Sequence, residues 1–147
     1  MAIAEILRAT ASVTIRATAE RVFDAWLDPA IASRFLNGAN AMPSEFSNDP
    51  VEGGAFRIVM PGENGERHEH EGRYVLIERP HRLIFTWVSV GTGERLSLVT
   101  VTLKQTSDGV RVDLVHEGLP DDRQAANHAR GWTFILNTLA AQLGQED

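Results

Sequence analysis

The chain changes hydrophobic period twice, and each change marks a change of structure. Between Thr10 and Arg16, Val13 and Ile15 alternate with Thr14 and Arg16, which predicts a strand. Thr18 then stands as an N-cap with Glu20 in the first turn, and Val22, Phe23, Trp26 and Leu27 recur at helical spacing. Asp28-Pro29 repeats the start signal, a capping side chain followed by proline at the first helical position. It predicts a second short helix ending near Phe35.

From Pro43 the period becomes two. Phe56, Ile58 and Met60 share one face of a strand, and Asn64-Gly65 predicts a hairpin behind it. A strand follows to about Ile77, then a turn at Pro80-His81 and a strand with Leu83, Phe85 and Trp87 on one face. Gly91-Thr92-Gly93 turns the chain into a strand that sets Val99, Val101 and Leu103 against Thr100 and Thr102. After Ser107-Asp108-Gly109, Val110, Val112, Leu114 and His116 lie opposite Arg111, Asp113 and Val115. Consecutive hairpins of this kind give an antiparallel sheet with one buried face.

The last segment is helical. Leu119-Pro120-Asp121 supplies the start, and Ala125, Ala129, Trp132, Leu136, Leu139 and Leu143 step by four and three. So long an apolar seam needs a complementary surface, and the sheet face provides it. The order is β-α-α-β(5–6)-α, an α+β fold in which a curved sheet grips one long helix.

Length sets the domain count: 147 residues are enough for one domain, taken as 1–147. There is no cysteine, which excludes disulfides, thiolate metal sites and a cysteine nucleophile. A net charge of −6 argues against a nucleic-acid or anionic-membrane binder. No run of apolar residues is long enough to span a membrane. The first ten residues, with Glu5 among them, do not form a secretory signal, so the expected location is cytoplasmic.

Several segments, in order along nearly the whole chain, resemble the activator of heat-shock-protein-90 ATPase homologue-like family of the START-like (SRPBCC, Bet v 1-like) superfamily. They are residues 20–29 (ERVFDAWLDP), Gly53-Gly54-Ala55-Phe56-Arg57, Gly72-Arg73-Tyr74, residues 82–87 (RLIFTW), residues 99–103 (VTVTL) and His128-Ala129-Arg130-Gly131-Trp132. The resemblance implies a helix-grip fold, β-α-α-β6-α, with a seven-stranded sheet around the C-terminal helix and a deep hydrophobic cavity. Superfamily members bind lipids, polyketides or plant hormones, and some are cyclases.

The candidate ligand-binding residues follow from the inward faces. Phe56, Phe85, Trp87, Trp132 and Leu136 point toward the interior, with Trp26 and Phe35 on the helices that close one end. Each reads either as core packing or as the lining of an apolar pocket. His116 is in phase with Val112 and Leu114, and His128 lies about 40° from Trp132 around the helix at ~100° per residue. Each histidine reads either as a satisfied buried group or as a ligand anchor or proton-transfer group. Tyr74 offers a hydroxyl as a third anchor.

His68-Glu69-His70-Glu71 puts two histidines on one strand face, but it adjoins a charged hairpin and has no third ligand, so it reads as a solvated tip. No metal, cofactor or catalytic residue is assigned. Paired inward carboxylates and a nucleophilic serine elbow, the machinery of hydrolases, are not visible. Phe134, about 160° from Trp132 around the helix, is a candidate homodimer contact.

The leading expectation is a small-molecule-binding protein holding a hydrophobic or aromatic ligand between sheet and helix. The alternatives are a cyclase- or isomerase-like enzyme using a cavity histidine, and a chaperone-linked interaction module.

Overall fold

In the computed structural model, residues 7–37 and 43–144 are described. The first strand, β1 (Arg8–Ile15), leads into helices α1 (Ala19–Leu27) and α2 (Pro29–Phe35). Both helix starts follow from their capping residues. The Thr18 hydroxyl accepts from Arg21 N at 3.2 Å, and Asp28 Oδ1 accepts from Ala30 N at 3.0 Å. Six strands follow: β2 (Glu45–Asn48), β3 (Ala55–Pro61), β4 (Arg67–Glu78), β5 (Arg82–Trp87), β6 (Ser97–Thr106) and β7 (Gly109–Glu117). The chain closes with α3 (Asp122–Gly144), whose first turn is capped by Asp121 Oδ1 on Gln124 N at 2.8 Å.

The strands form one seven-stranded antiparallel sheet in the order β1-β7-β6-β5-β4-β3-β2. Among the described strands the non-sequential neighbours are β1 and β7, because the two short helices carry the chain from one edge of the sheet to the other. The fold is therefore the helix grip, with α3 packed along β1 and over the buried face.

Alternation sorts the strands as the sequence predicts: Leu83, Phe85 and Trp87 are buried, as are Val99, Val101, Leu103, Val110, Val112, Leu114 and His116. Trp132, Leu136, Leu139 and Leu143 are buried on α3 beside Ile135, whereas Ala125 and Ala129 are only half-buried.

Two details position the site. The β3–β4 turn places Asn64 at φ 56° and Gly65 at φ 79°, the positive pair that a tight hairpin turn needs. In β4, Gly72 lies opposite Phe56, and a Cβ there would fall 1.9 Å from Thr86 O and 2.6 Å from Phe56 Cζ. Only glycine lets the Phe56 ring lie across β4. The β4–β5 register then shifts between Tyr74 and Leu76, and Tyr74 stays inward.

Candidate functional site

The inward aromatics form one continuous contact set. Trp26 meets Phe35 edge-on at 5.1 Å, and Phe56 meets Tyr74 at 5.3 Å and Phe85 at 5.4 Å. Trp87 meets Trp132 at 5.1 Å, joining the centre of the sheet to α3. Such offset and edge-to-face pairs add to the area they bury. The space left among Trp26, Phe46, Phe56, Tyr74, Phe85 and Trp87 is about 10 Å³, scarcely room for one water. Among the described residues this part of the interior is packed. Phe35, Trp132 and Leu136 are buried in the same core without lining that space. The Tyr74 hydroxyl is already engaged, accepting from Asn48 Nδ2 at 3.0 Å, and burial raises its pKa.

His116 is fully buried and bonded at both ring nitrogens. Trp132 Nε1–H donates to His116 Nδ1 at 3.0 Å. An indole N–H only donates, so Nδ1 is the bare nitrogen and Nε2 carries the proton. Nε2–H therefore donates to Ser97 Oγ at 2.7 Å, and the Ser97 hydroxyl donates to the Trp87 carbonyl at 2.6 Å. This chain ties α3 to β7, β6 and β5. Its direction also decides the chemistry, because a serine is activated by an imidazole that accepts its proton, and here the imidazole donates. Burial, and secondarily the neighbouring His128, lowers the His116 pKa to about 3. His116 is a neutral strut.

The open space lies next to this wall. A cleft of about 1110 Å³ runs between the β3–β4 hairpin, the turn at residues 88–94 and the start of α3. His70 and His128 both line it. The His70 ring packs against Trp87 at 4.9 Å, and the His128 ring meets His116 at 5.0 Å. His70 Nδ1 is buried with no hydrogen-bond partner, and so are the indole nitrogens of Trp26 and Trp87. Burial above all, with the charges of His68 and His128 adding, lowers the His70 pKa to about 4. His128 Nδ1 lies 2.8 Å from Gln124 O, which it can only approach as a donor.

The rim is charged and predominantly acidic: Glu63, Glu66, Glu69, Glu71 and Glu94 stand against Arg57 and Arg67. Arg57 pairs with Glu69, and Arg67 pairs with Glu45 at 2.7 Å. The opposite wall is a tight turn in which the buried Thr92 hydroxyl accepts from Ser89 N at 3.0 Å and reaches Arg95 O at 2.9 Å. Gly91 in that turn faces His128, and a Cβ there would sit 3.0 Å from His128 Cε1.

Several placements differ from the sequence reading. The segment His68–Glu71 is not wholly a solvated tip, since His70 turns in against Trp87 while His68 stays exposed. The signal was available: His70, Gly72 and Tyr74 are in phase on β4, opposite the inward Ile58 and Phe56 of β3. Ser97 was likewise overlooked, although it is in phase with Val99, Val101 and Leu103. Among the described residues no group of three or more His, Asp or Glu side chains is arranged to hold a metal. Phe134 is 43% exposed on α3, away from the cleft.

Residues 16–144 match the family described as activator of Hsp90 ATPase homolog 1-like protein. The chain belongs to that family. Among solved structures it is similar to protein CV1439 from Chromobacterium violaceum, at 26% identity and a TM-score of 0.84, covering 95% of this chain and 99% of that one. A protein from Rhodobacter sphaeroides follows at 24% identity and 0.78, covering 95% and 98%. One from Rhizobium leguminosarum has 20% identity and 0.80, covering 97% of each chain. The latter two likenesses speak to the fold alone. No curated protein matches the chain. Among the described residues, no helix is long and apolar enough to cross a membrane.

Proposed function

We propose that this member of the family binds a small hydrophobic or aromatic molecule in the cleft between the sheet and the start of α3. The observation that carries the reading is the cleft's inner wall. There the His70 ring lines the cleft and packs at a tilt on Trp87, which lies behind it, and His70 Nδ1 and Trp87 Nε1 are both buried and unpartnered. Buried polar atoms without partners are uncommon in folded proteins, and at the end of a cleft they favour a guest that supplies the missing partners. The apolar body of that guest would rest on Met60, Val88, Val90 and the His70 ring, with Trp87 and then Trp26, Phe56, Tyr74 and Phe85 packed behind them. Because only about 10 Å³ is free among those rings, deeper entry would require them to repack.

An acid–base role for His116 is disfavoured by its bonding, since both ring nitrogens already serve protein groups. The binding reading is tested by filling the cleft mouth. Gly91→Leu places a side chain against His128 at a backbone position without positive φ. In a tryptophan-fluorescence screen of aromatic compounds, wild type is expected to bind, and Gly91→Leu to lose at least tenfold in affinity with its unfolding midpoint little changed. Equal binding by both proteins would remove the cleft from the account.

A further inference from the structure

Resting on that reading of the cleft, the polarity of its atoms narrows the ligand's chemistry. His128 Nδ1 is committed to the Gln124 carbonyl, 2.8 Å away, so in the neutral ring Nε2 is left with a lone pair and no proton. A Cβ on Gly91 would lie 3.4 Å from that Nε2, so glycine keeps the approach to it open. His70 brings a second imidazole ring to the cleft from a different element of the fold, its Nδ1 buried and its ring held beside the backbone of His68 and Ile58. The low pKa of His70 keeps its ring uncharged at neutral pH, as an acceptor or neutral donor rather than a cation.

Around these two rings the rim adds a net negative field, five glutamates against two arginines. Both arginines are already engaged in ion pairs, Arg57 with Glu69 and Arg67 with Glu45. A carboxylate entering here would leave water for a site with an acidic rim and no uncommitted guanidinium. A protonated amine would meet the His128 lone pair and a favourable field. The indole N–H groups of Trp26 and Trp87 lie in the packed interior behind the cleft, so they offer no donor to a carboxylate in it.

We infer that the cleft selects organic amines, an apolar or aromatic body bearing a hydrogen-bond-donating nitrogen directed at His128 within the acidic rim, and discriminates against carboxylates of the same shape.

The test compares three probes on one body: naphthalen-2-ylmethanamine, naphthalen-2-ylmethanol and naphthalene-2-carboxylate, titrated calorimetrically at pH 8 into the wild-type chain. The inference expects the amine to bind at least tenfold more tightly than the carboxylate, with the alcohol between them. It also expects the gap to narrow as salt screens the rim. His128→Leu should cost the amine about tenfold and change the carboxylate little, as expected for loss of a charge-assisted hydrogen bond. His128→Leu alters a half-buried side chain. The double change Glu66→Gln with Glu94→Gln, confined to exposed positions, therefore serves as an independent arm. It should weaken the amine selectively.

A carboxylate that binds as tightly as the amine would overturn the inference while leaving the cleft a ligand site. If none of the three probes binds, the cleft reading and this inference fall together. Amine binding that Gly91→Leu leaves intact would place the amine elsewhere and overturn the inference too.

Discussion

At the scale of single residues, His116 is the most informative side chain. Its neutral ring accepts from Trp132 and donates to Ser97, so removing it leaves a buried indole N–H and a buried hydroxyl each short of a partner. The indole loses its acceptor, and the Ser97 oxygen loses its donor while its hydroxyl still donates to the Trp87 carbonyl. Leaving buried polar groups short of partners costs about 1–3 kcal/mol for each group. His116→Leu is accordingly expected to lower the stability measured by urea denaturation by about 2–4 kcal/mol. A loss below about 0.5 kcal/mol would mean that the network contributes little.

The same residue gives a pH dependence with a definite sign. His116 and His70 have native pKa values of about 3 and about 4, against the ordinary 6.5. Below pH 6.5 the unfolded chain takes up protons that the native chain refuses, so stability falls as pH falls and is flat above that value. Each histidine contributes a slope of up to about 1.4 kcal/mol per pH unit between its native and unfolded pKa. Urea midpoints between pH 6.5 and 5, above most of the carboxylate range, should show this decline, and His116→Gln should reduce it. An increase in stability over the same interval would contradict the assignment of neutral buried rings.

At the scale of elements, the sequence announces most of the fold because caps and periods act locally. Thr18, Asp28 and Asp121 each cap the helix their positions predict. The short β2, Glu45–Asn48, carries no such signal: Phe46 is its one apolar residue, and the alternation of exposed and half-buried positions emerges only once it pairs with β3. The seam of α3 is legible from Trp132 onward. Ala125 and Ala129 depart from it because the helix there borders the cleft, which is lined by His128, rather than the core.

His70 was hidden for a different reason. Its neighbours Glu66, Arg67, His68 and Glu69 are exposed, and composition outweighed phase in reading the segment. Its burial depends on Trp87 arriving from β5 across β4, a contact no local pattern encodes. Gly72 is the element-scale residue to test. A Cβ would strike the Thr86 carbonyl and the Phe56 ring, so Gly72→Ala must displace β4 from β5 or rotate Phe56 off its neighbours. We expect a loss of about 1–3 kcal/mol in urea unfolding, the cost typical of overpacking. An unaffected midpoint would show that the sheet yields there without resistance.

At the scale of the whole molecule, the helix-grip fold brings one strut and one cleft together at the start of α3. The Trp132–His116–Ser97–Trp87 chain holds helix to sheet, and the cleft begins one ring away on either side, at His128 and at His70. The three tryptophans thereby have distinct roles: Trp132 Nε1 is bonded, whereas Trp87 and Trp26 hold buried indole N–H groups without partners. This difference can be read directly by NMR.

In a ¹H–¹⁵N correlation spectrum of the labelled chain, each indole gives its own resonance. The decisive measurement is a titration with the naphthalene-bodied amine, alcohol and carboxylate in turn. At least one probe is expected to shift the Trp87 indole signal and the Val90 and Gly91 amides in a saturable manner, while the Trp132 indole, held by His116, moves least. Saturating probe that leaves the Trp87, Val90 and Gly91 signals unmoved, or that moves only signals on the outer face of α3 around Phe134, would contradict that expectation.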